Sequence, residues 1–418
     1  MSTMIQSLLK GLLGTCLIAG AALVSSPARA VIGTVDVVPA ATILVPYFEV
    51  DLNNNNGRQT SVQVTNTSAS AMLLNVTLWT DLGIPTFRFN IYQTGYATTP
   101  IDLRMLFKGV VPITATDGQD PVDLISPQGP FSQDINFASC NSTLPYATPL
   151  PAATLTALRN AHTGQSSTTF GGSCGGVAYG DGIARGYITI DTVSACQSQL
   201  PGDVGYFLAG GGGTATNQNA LTAQVTYMDR SQNQSSAEPA VHIEANGVDP
   251  LTNGAGDNTF YGRFVAFTGA DNREPLFGMS QARYFNTSGL STEMVVWRDP
   301  GAAVSPFACG ASLPGPYPLG QREFVGFDEQ EDFTIFSGSP AFPYAAQTKS
   351  VSSFFPSAGG HLFLNLVSSV GDPTISFRQQ HYLSVRHRSG NSYSGQTAAS
   401  QLVNASQPSN DNYIIASF

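Results

Sequence analysis

The chain has 418 residues and a formal net charge of −10, and only 11% of its residues are charged, against about a quarter in an ordinary soluble domain. A chain this poor in Lys and Arg lacks the electrostatic footprint needed to grip nucleic acid or an anionic lipid surface. Its solvated surface must be built largely from Ser, Thr, Asn, Gln and Gly, which leaves little charge repulsion between copies or against neutral surface polymers.

Residues 1–30 carry the pattern of an export signal: Lys10, an apolar run over 11–24, and the small-x-small sequence Ala28, Arg29, Ala30. Cys16 lies inside the apolar run after Thr15, where a lipobox wants Gly or Ala, so ordinary secretion is expected, with a mature chain from Val31. No later segment reaches the roughly 18 to 20 consecutive apolar residues of a spanning helix, so no transmembrane helix is expected. Phe418 at the end is a residue type that outer-membrane barrels often carry there, but Gly/Pro-rich stretches interrupt the regular alternation a barrel requires. The expected location is extracellular or cell-surface, with the periplasm open.

Alternation and β-branched or aromatic content predict strands at 42–50, 61–66, 73–80, 86–93, 185–192, 223–228, 240–245, 261–268, 281–285, 294–298, 333–336, 361–367 and 374–377. One segment reads as a helix: Pro151 to His162 has Pro at its start, Leu155 and Leu158 on one face, and Gly164 just beyond. The predicted fold is all-β, with two or three Ig-like β-sandwich domains, long Gly/Pro-rich loops and one short helix. The expected organisation is a sandwich at 31–110, an irregular connection with the helix at 111–180, a second sandwich at 181–310 and a third β-rich domain at 321–418. Single cores stop growing near roughly 250 to 300 residues, which favours this division. Cys140, Cys174, Cys196 and Cys309 form an even set in an exported chain and suggest two disulfides; sequence proximity favours Cys140 with Cys174 and Cys196 with Cys309.

The two tryptophans occur in one phrase used twice. The first copy runs Val64, Thr65, Asn66, Thr67, Ser68 and ends Leu78, Trp79, Thr80, Asp81, Leu82, Gly83; the second runs Tyr284, Phe285, Asn286, Thr287, Ser288 and ends Val296, Trp297, Arg298, Asp299, Pro300, Gly301. Asn-Thr-Ser reverses the chain, so each copy reads as a hairpin or an Ig-type strand pair. The alternation places Val76 and Leu78 on one face with Val62 and Val64, and Met294 and Val296 with Ala282 and Tyr284. Trp79 and Trp297 then fall on the reverse, more polar faces. There each ring is either covered by a neighbouring element or left as an exposed binding platform for a sugar. The Asp two residues on is expected to cap a tight turn. The phrase resembles bacterial Ig-like modules of the cell-adhesion-related and conserved-repeat kind. That resemblance implies an exported, repeated, non-catalytic module and transfers no functional residues.

Other candidate chemistry is thin. Asp51 to Gly57 misses the EF-hand spacing and predicts a hairpin loop. Asp328, Glu329, Glu331 and Asp332 form an acidic run better suited to a solvated loop than to a glycosidase pair, which must face across a cleft. His242 and Glu244 share a strand face with Glu238 nearby, but His162, His361, His381 and His387 are not spaced to complete a metal site. Ser173 matches a G-x-S-x-G elbow in letters only, since its flanks are loop. No cofactor and no catalytic residue is expected. The leading expectation is a secreted, non-catalytic structural or adhesive protein able to pack against itself or neutral polymers; the alternatives are a carbohydrate-binding protein using Trp79 and Trp297, and a hydrolase with an unrecognised carboxylate site.

Overall fold

The described residues of the computed structural model are 38–112, 149–196, 198–246, 255, 258–366, 379–389, 394–398 and 400–401. The expected export signal, Cys140, Phe418 and the strand at 374–377 lie outside them. The described residues form four antiparallel sheets, an all-β architecture as expected. Sheet I orders β5 (Thr98–Asp102), β2 (Arg58–Asn66), β7 (Leu221–Asp229) and β8 (Gln234–Pro239). Sheet II orders β4 (Pro85–Gln93), β3 (Met72–Thr80), β6 (Ile183–Val193), β1 (Thr42–Asp51) and β9 (Val241–Ile243). Sheet III orders β14 (Ala346–Ser350), β11 (Leu290–Arg298), β16 (His381–Ser389) and β17 (Ser394–Ala398). Sheet IV orders β13 (Phe333–Ile335), β12 (Glu323–Asp328), β15 (Gly359–Asn365), β10 (Met279–Phe285) and β18 (Ser400–Gln401).

Sheets I and II face each other across Val62, Val64 and Val225 on one side and Val76, Leu78, Ile188 and Ile190 on the other. Sheets III and IV do the same with Met294, Val296, Leu383 and Val385 against Ala282, Tyr284, Phe324, Leu362 and Leu364. Val295, Trp297 and Tyr382, on the other face of sheet III, belong to the core that holds sheet II. The sheets therefore stack as I, II, III, IV, and the inner two are covered on both faces. This explains why β3 is buried at every position although it alternates apolar and polar residues.

The sandwiches do not follow the expected sequence segments. β6 lies between β3 and β1, pairing Val76 with Ile190 and Ile43 with Ile190, so the first sandwich draws on both 31–110 and 181–310. Without Ile188 and Ile190 from β6, β1 and β3 would have no common neighbour. The second sandwich likewise joins 279–298 to the segment expected as a third domain. The strand expected at 261–268 is instead a pair of tight turns around a 3₁₀ segment, Gly262–Phe264, with Ala266 and Phe267 in the left-handed region. Its aromatic side chains fill space between sheets and build no ladder. The expected helix is present at Ala152–His162, with Pro151 capping it and Gly164 turning the chain at φ 70°.

The 51–57 loop joins two different sheets and is an arch, not the expected hairpin. The Asp51 carboxylate accepts from the amides of Asn53 and Asn54. Its inward carbonyls are taken by one guanidinium: Arg104 donates to the carbonyls of Asp51, Asn54, Gly57 and Arg58 at 2.8 to 3.0 Å.

Candidate functional site

The repeated phrase carries each chain copy from an outer sheet to an inner one: β2 to β3 and β10 to β11. In the first copy Asn66 is buried, its amide donating to the carbonyls of Ser70 and Thr94 while its oxygen accepts from the Ser68 amide. In the second, Asn286 donates to the Phe355 carbonyl. Neither connection is a hairpin, because the flanking strands belong to different sheets; each is an arch between the two sheets of a sandwich. The phasing of the two faces holds as expected, with Val62, Val64, Val76 and Leu78 in one core and Ala282, Tyr284, Met294 and Val296 in the other.

The match extends beyond the phrase. Trp79 stands opposite Tyr187 in the β3–β6 ladder, and Trp297 stands opposite Tyr382 in the β11–β16 ladder. Four residues before each Trp lies a polar cross-strand pair, Asn75 with Asp191 and Glu293 with Arg386. The Gly four residues after each Trp, Gly83 and Gly301, has φ of 78° and 68°.

The two faces meet at the seam between sheets II and III. Trp79 stacks on Tyr187 at 5.7 Å with the rings 3° apart, and Trp297 meets the same Tyr187 edge-on at 5.9 Å. Phe264, from the turn segment that replaces the expected strand, closes over Trp79 at 5.2 Å, and Phe260, just before that segment, over Trp297 at 5.4 Å. The Trp79 indole N–H donates to Thr189 Oγ1 at 2.9 Å. Trp79 is 1% exposed and Trp297 3%, so of the two alternatives for these binding candidates the rings are covered, Trp79 by Tyr187 and Phe264 and Trp297 by Tyr187 and Phe260, and neither is an exposed platform.

The Asp of each phrase is also internal. Asp81 is buried and accepts from the Val177 amide at 3.1 Å, and burial pushes its carboxyl up to about 7. Its backbone carbonyl accepts from the Ala346 amide, which begins β14 of the other sandwich. Asp299 makes a buried ion pair with Arg263 at 2.5 Å. The expected local turn cap is present, since the Asp299 carboxylate accepts from the Gly301 amide and that of Asp81 from the Leu82 amide, and each Asp in addition ties distant segments together. Asp191, not singled out by the sequence, collects the Thr42 hydroxyl at 2.5 Å, the Tyr206 hydroxyl at 2.7 Å and the Tyr261 hydroxyl at 3.0 Å. Burial raises its pKa, opposed by Arg273. Such a carboxylate inside a strand reads as a surface residue when only one face is assumed buried; the neighbouring Tyr and Thr donors come from segments far away in sequence.

A second charged group lies where sheets I, II and III converge. Arg386 donates to Glu49 at 3.4 Å and to Glu293 at 3.0 Å, Arg58 reaches Glu49 at 2.9 Å, and Arg388 reaches Glu293 at 3.0 Å. The Arg386 guanidinium also lies 4.4 Å from the centre of the Tyr227 ring. These arginines draw the Glu49 carboxyl below its usual range against the opposing effect of burial. The group borders a cleft of about 230 Å³, counted to its open mouth, lined in part by Asp229, Ser235 and Arg388. Every carboxylate of the group is matched to a guanidinium, an arrangement that fixes the relative position of three sheets.

The remaining sequence candidates are dispersed. The acidic run forms the turn between β12 and β13, where the Asp328 carboxylate accepts from the amides of Gln330 and Asp332 and exposed Glu329 pairs with Arg283 at 2.8 Å. His242 accepts the Ala223 amide on Nε2 at 3.0 Å, and burial lowers its pKa to about 4. No three His, Cys, Asp or Glu side chains among the described residues are grouped to hold a metal ion. Ser173 sits in a loop with Gly171 and Gly172 at positive φ. Cys174 is bonded to Cys309, which overturns both expected pairings; the strands on either side of that bond are joined by reciprocal backbone bonds between Cys174 and Phe307. Cys196 is also disulfide-bonded. No family model, curated protein or solved structure matches the chain.

Proposed function

We propose that the protein is a secreted, non-catalytic structural or adhesive component of a bacterial envelope or extracellular matrix, able to assemble with itself. One observation supports this reading most: the side chains most suited to binding or chemistry are spent on internal contacts. Trp79 and Trp297 lie against Tyr187, and Asp81, Asp191, Asp299 and Glu49 are bonded inside the fold. A disulfide across 135 residues and a charge-poor surface suit a durable extracellular block, and no described helix is long and apolar enough to cross a membrane. The resemblance of the repeated phrase to adhesion-type Ig-like modules points the same way. Sedimentation velocity and electron microscopy of the mature protein, with fractionation of the producing cells, test it. Concentration-dependent assembly or retention at the cell surface is expected; a strictly monomeric protein that stays wholly in the medium overturns it.

A further inference from the structure

Sheet edges left unpaired are templates for another strand, and soluble proteins commonly blunt them with Pro, Lys or Arg. Four edges here are blunted so: β4 carries Pro85 and Arg88, β5 Pro100, β8 Pro239 and β14 Lys349. β13 is different. Its three residues, Phe333, Thr334 and Ile335, are all exposed at the end of sheet IV, and Phe333 and Ile335 are 65% and 57% open, with Phe327 beside them at 37%.

The ladder says which way the backbone of β13 points. The Phe336 amide donates to the Phe324 carbonyl at 2.8 Å and the Asp328 amide to the Asp332 carbonyl at 3.0 Å. Even-numbered residues of the hairpin thus bond inward, and the N–H and C=O of Phe333 and Ile335 point to the open edge. The cross-strand pairs Val325 with Ile335 and Phe327 with Phe333 put these four side chains on the outer face of sheet IV. Opposite them, Gly326 packs on the Phe355 ring in the core.

We propose that β13 pairs antiparallel with β13 of a second copy about a two-fold axis at Thr334, joining two copies of sheet IV. This rests on the self-association put forward above and names its surface. In that register Phe333 and Ile335 exchange both backbone bonds with Ile335 and Phe333 of the other copy, and Val325 and Phe327 extend the apolar row on each side. Charge selects the register. With the axis at Thr334, Asp332, Glu331 and Glu329 of one copy lie opposite Phe336, Ser337 and Ser339 of the other, all uncharged. Moving the axis one residue toward the turn would set Asp332 opposite Thr334 and bring the two Asp332 carboxylates about 7 Å closer along the strands. Three exposed apolar side chains per copy cannot bury the roughly 1,200 Å² of a stable interface, so the pairing is weak and needs high local concentration, as at a surface.

The experiment compares four forms of the mature protein by sedimentation over roughly 5 to 500 μM, the range a small interface demands. These are the wild type, the double variant Phe333→Lys/Ile335→Lys, Thr334→Cys and Ser337→Cys. At the axis the two Thr334 Cα atoms stand about 4.5 Å apart, within disulfide reach, whereas the two Ser337 positions lie about 20 Å apart. Expected are wild-type dimers, at least tenfold weaker dimerisation in the double variant, and oxidative cross-linking of Thr334→Cys but not Ser337→Cys. Assembly unchanged in the double variant, with no faster cross-linking at 334 than at 337, overturns this surface and leaves self-association by another route. A monomer throughout overturns both. Should the double variant lose its near-ultraviolet dichroism, the comparison of the two cysteine variants decides alone.

Discussion

Trp79 and Trp297 share one neighbour, and that makes their energies interdependent. Removing either ring from a seam this closely packed is expected to cost about 3 to 5 kcal/mol. Because both rest on Tyr187, Trp79→Ala and Trp297→Ala together should cost less than their sum by about 1 kcal/mol; strict additivity in urea unfolding would show that the two rings do not communicate. The buried titratable groups set a pH dependence of an unusual shape. Burial raises Asp271 to about 6, Asp81 to about 7 and Glu238 to about 8, so the folded chain holds protons that the unfolded chain has released, and stability falls as pH rises toward each value. Burial lowers His162 and His242 to about 4 and His381 to about 3, so stability rises with pH from these values through about 6.5, where the unfolded imidazoles are half neutral, and levels off about one unit higher. Between about pH 4.5 and 6.5 the two sets oppose each other. Above that the carboxyls outweigh the remaining histidine contribution, and stability should drop by roughly 2 kcal/mol between pH 6.5 and 8.5, an effect that denaturant titrations at the two pH values would detect and that Asp81→Asn should reduce.

At the scale of elements, the Cys174–Cys309 bond ties the loop after the helix to the segment after β11. With 135 residues between its ends, its removal by Cys174→Ser with Cys309→Ser should lower stability by about 4 kcal/mol; a change under about 1 kcal/mol would mean the backbone bridge between Cys174 and Phe307 suffices. Elements with strong alternation or dense β-branched and aromatic content were legible in the sequence: β1, β2, β3, β4, β6, β7, β9, β10, β11, β13 and β15 were each anticipated within a few residues. β5, β8, β12, β14 and β16 were not. β5, β8 and β14 are edge strands of Thr, Ser, Gln and Pro whose outer groups face water, and β16 carries Arg386 and Arg388, whose charges meet Glu49 of β1 and Glu293 of β11. The segment 261–268 misled in the opposite sense, since aromatic content that fills a gap between sheets resembles the content of a strand.

For the molecule as a whole, the repeated phrase located the right faces but not what covers them. Alternation along a strand states which side chains travel together; it does not state whether the second face meets water or another sheet. The cover over Trp79 comes from Tyr187 and Phe264, and that over Trp297 from Tyr187 and Phe260, more than thirty residues away in every case. The position of β6 in sheet II also fixes an order of events. A chain growing from its N-terminus presents β1 and β3 long before residues 183–193 arrive to sit between them, and β2 waits for β7 at 221–229. Contacts so distant along the chain make folding slow, and they leave early strands with open ladders during synthesis. The first half of this protein can therefore be made, but it cannot finish folding, before the ribosome has passed its midpoint.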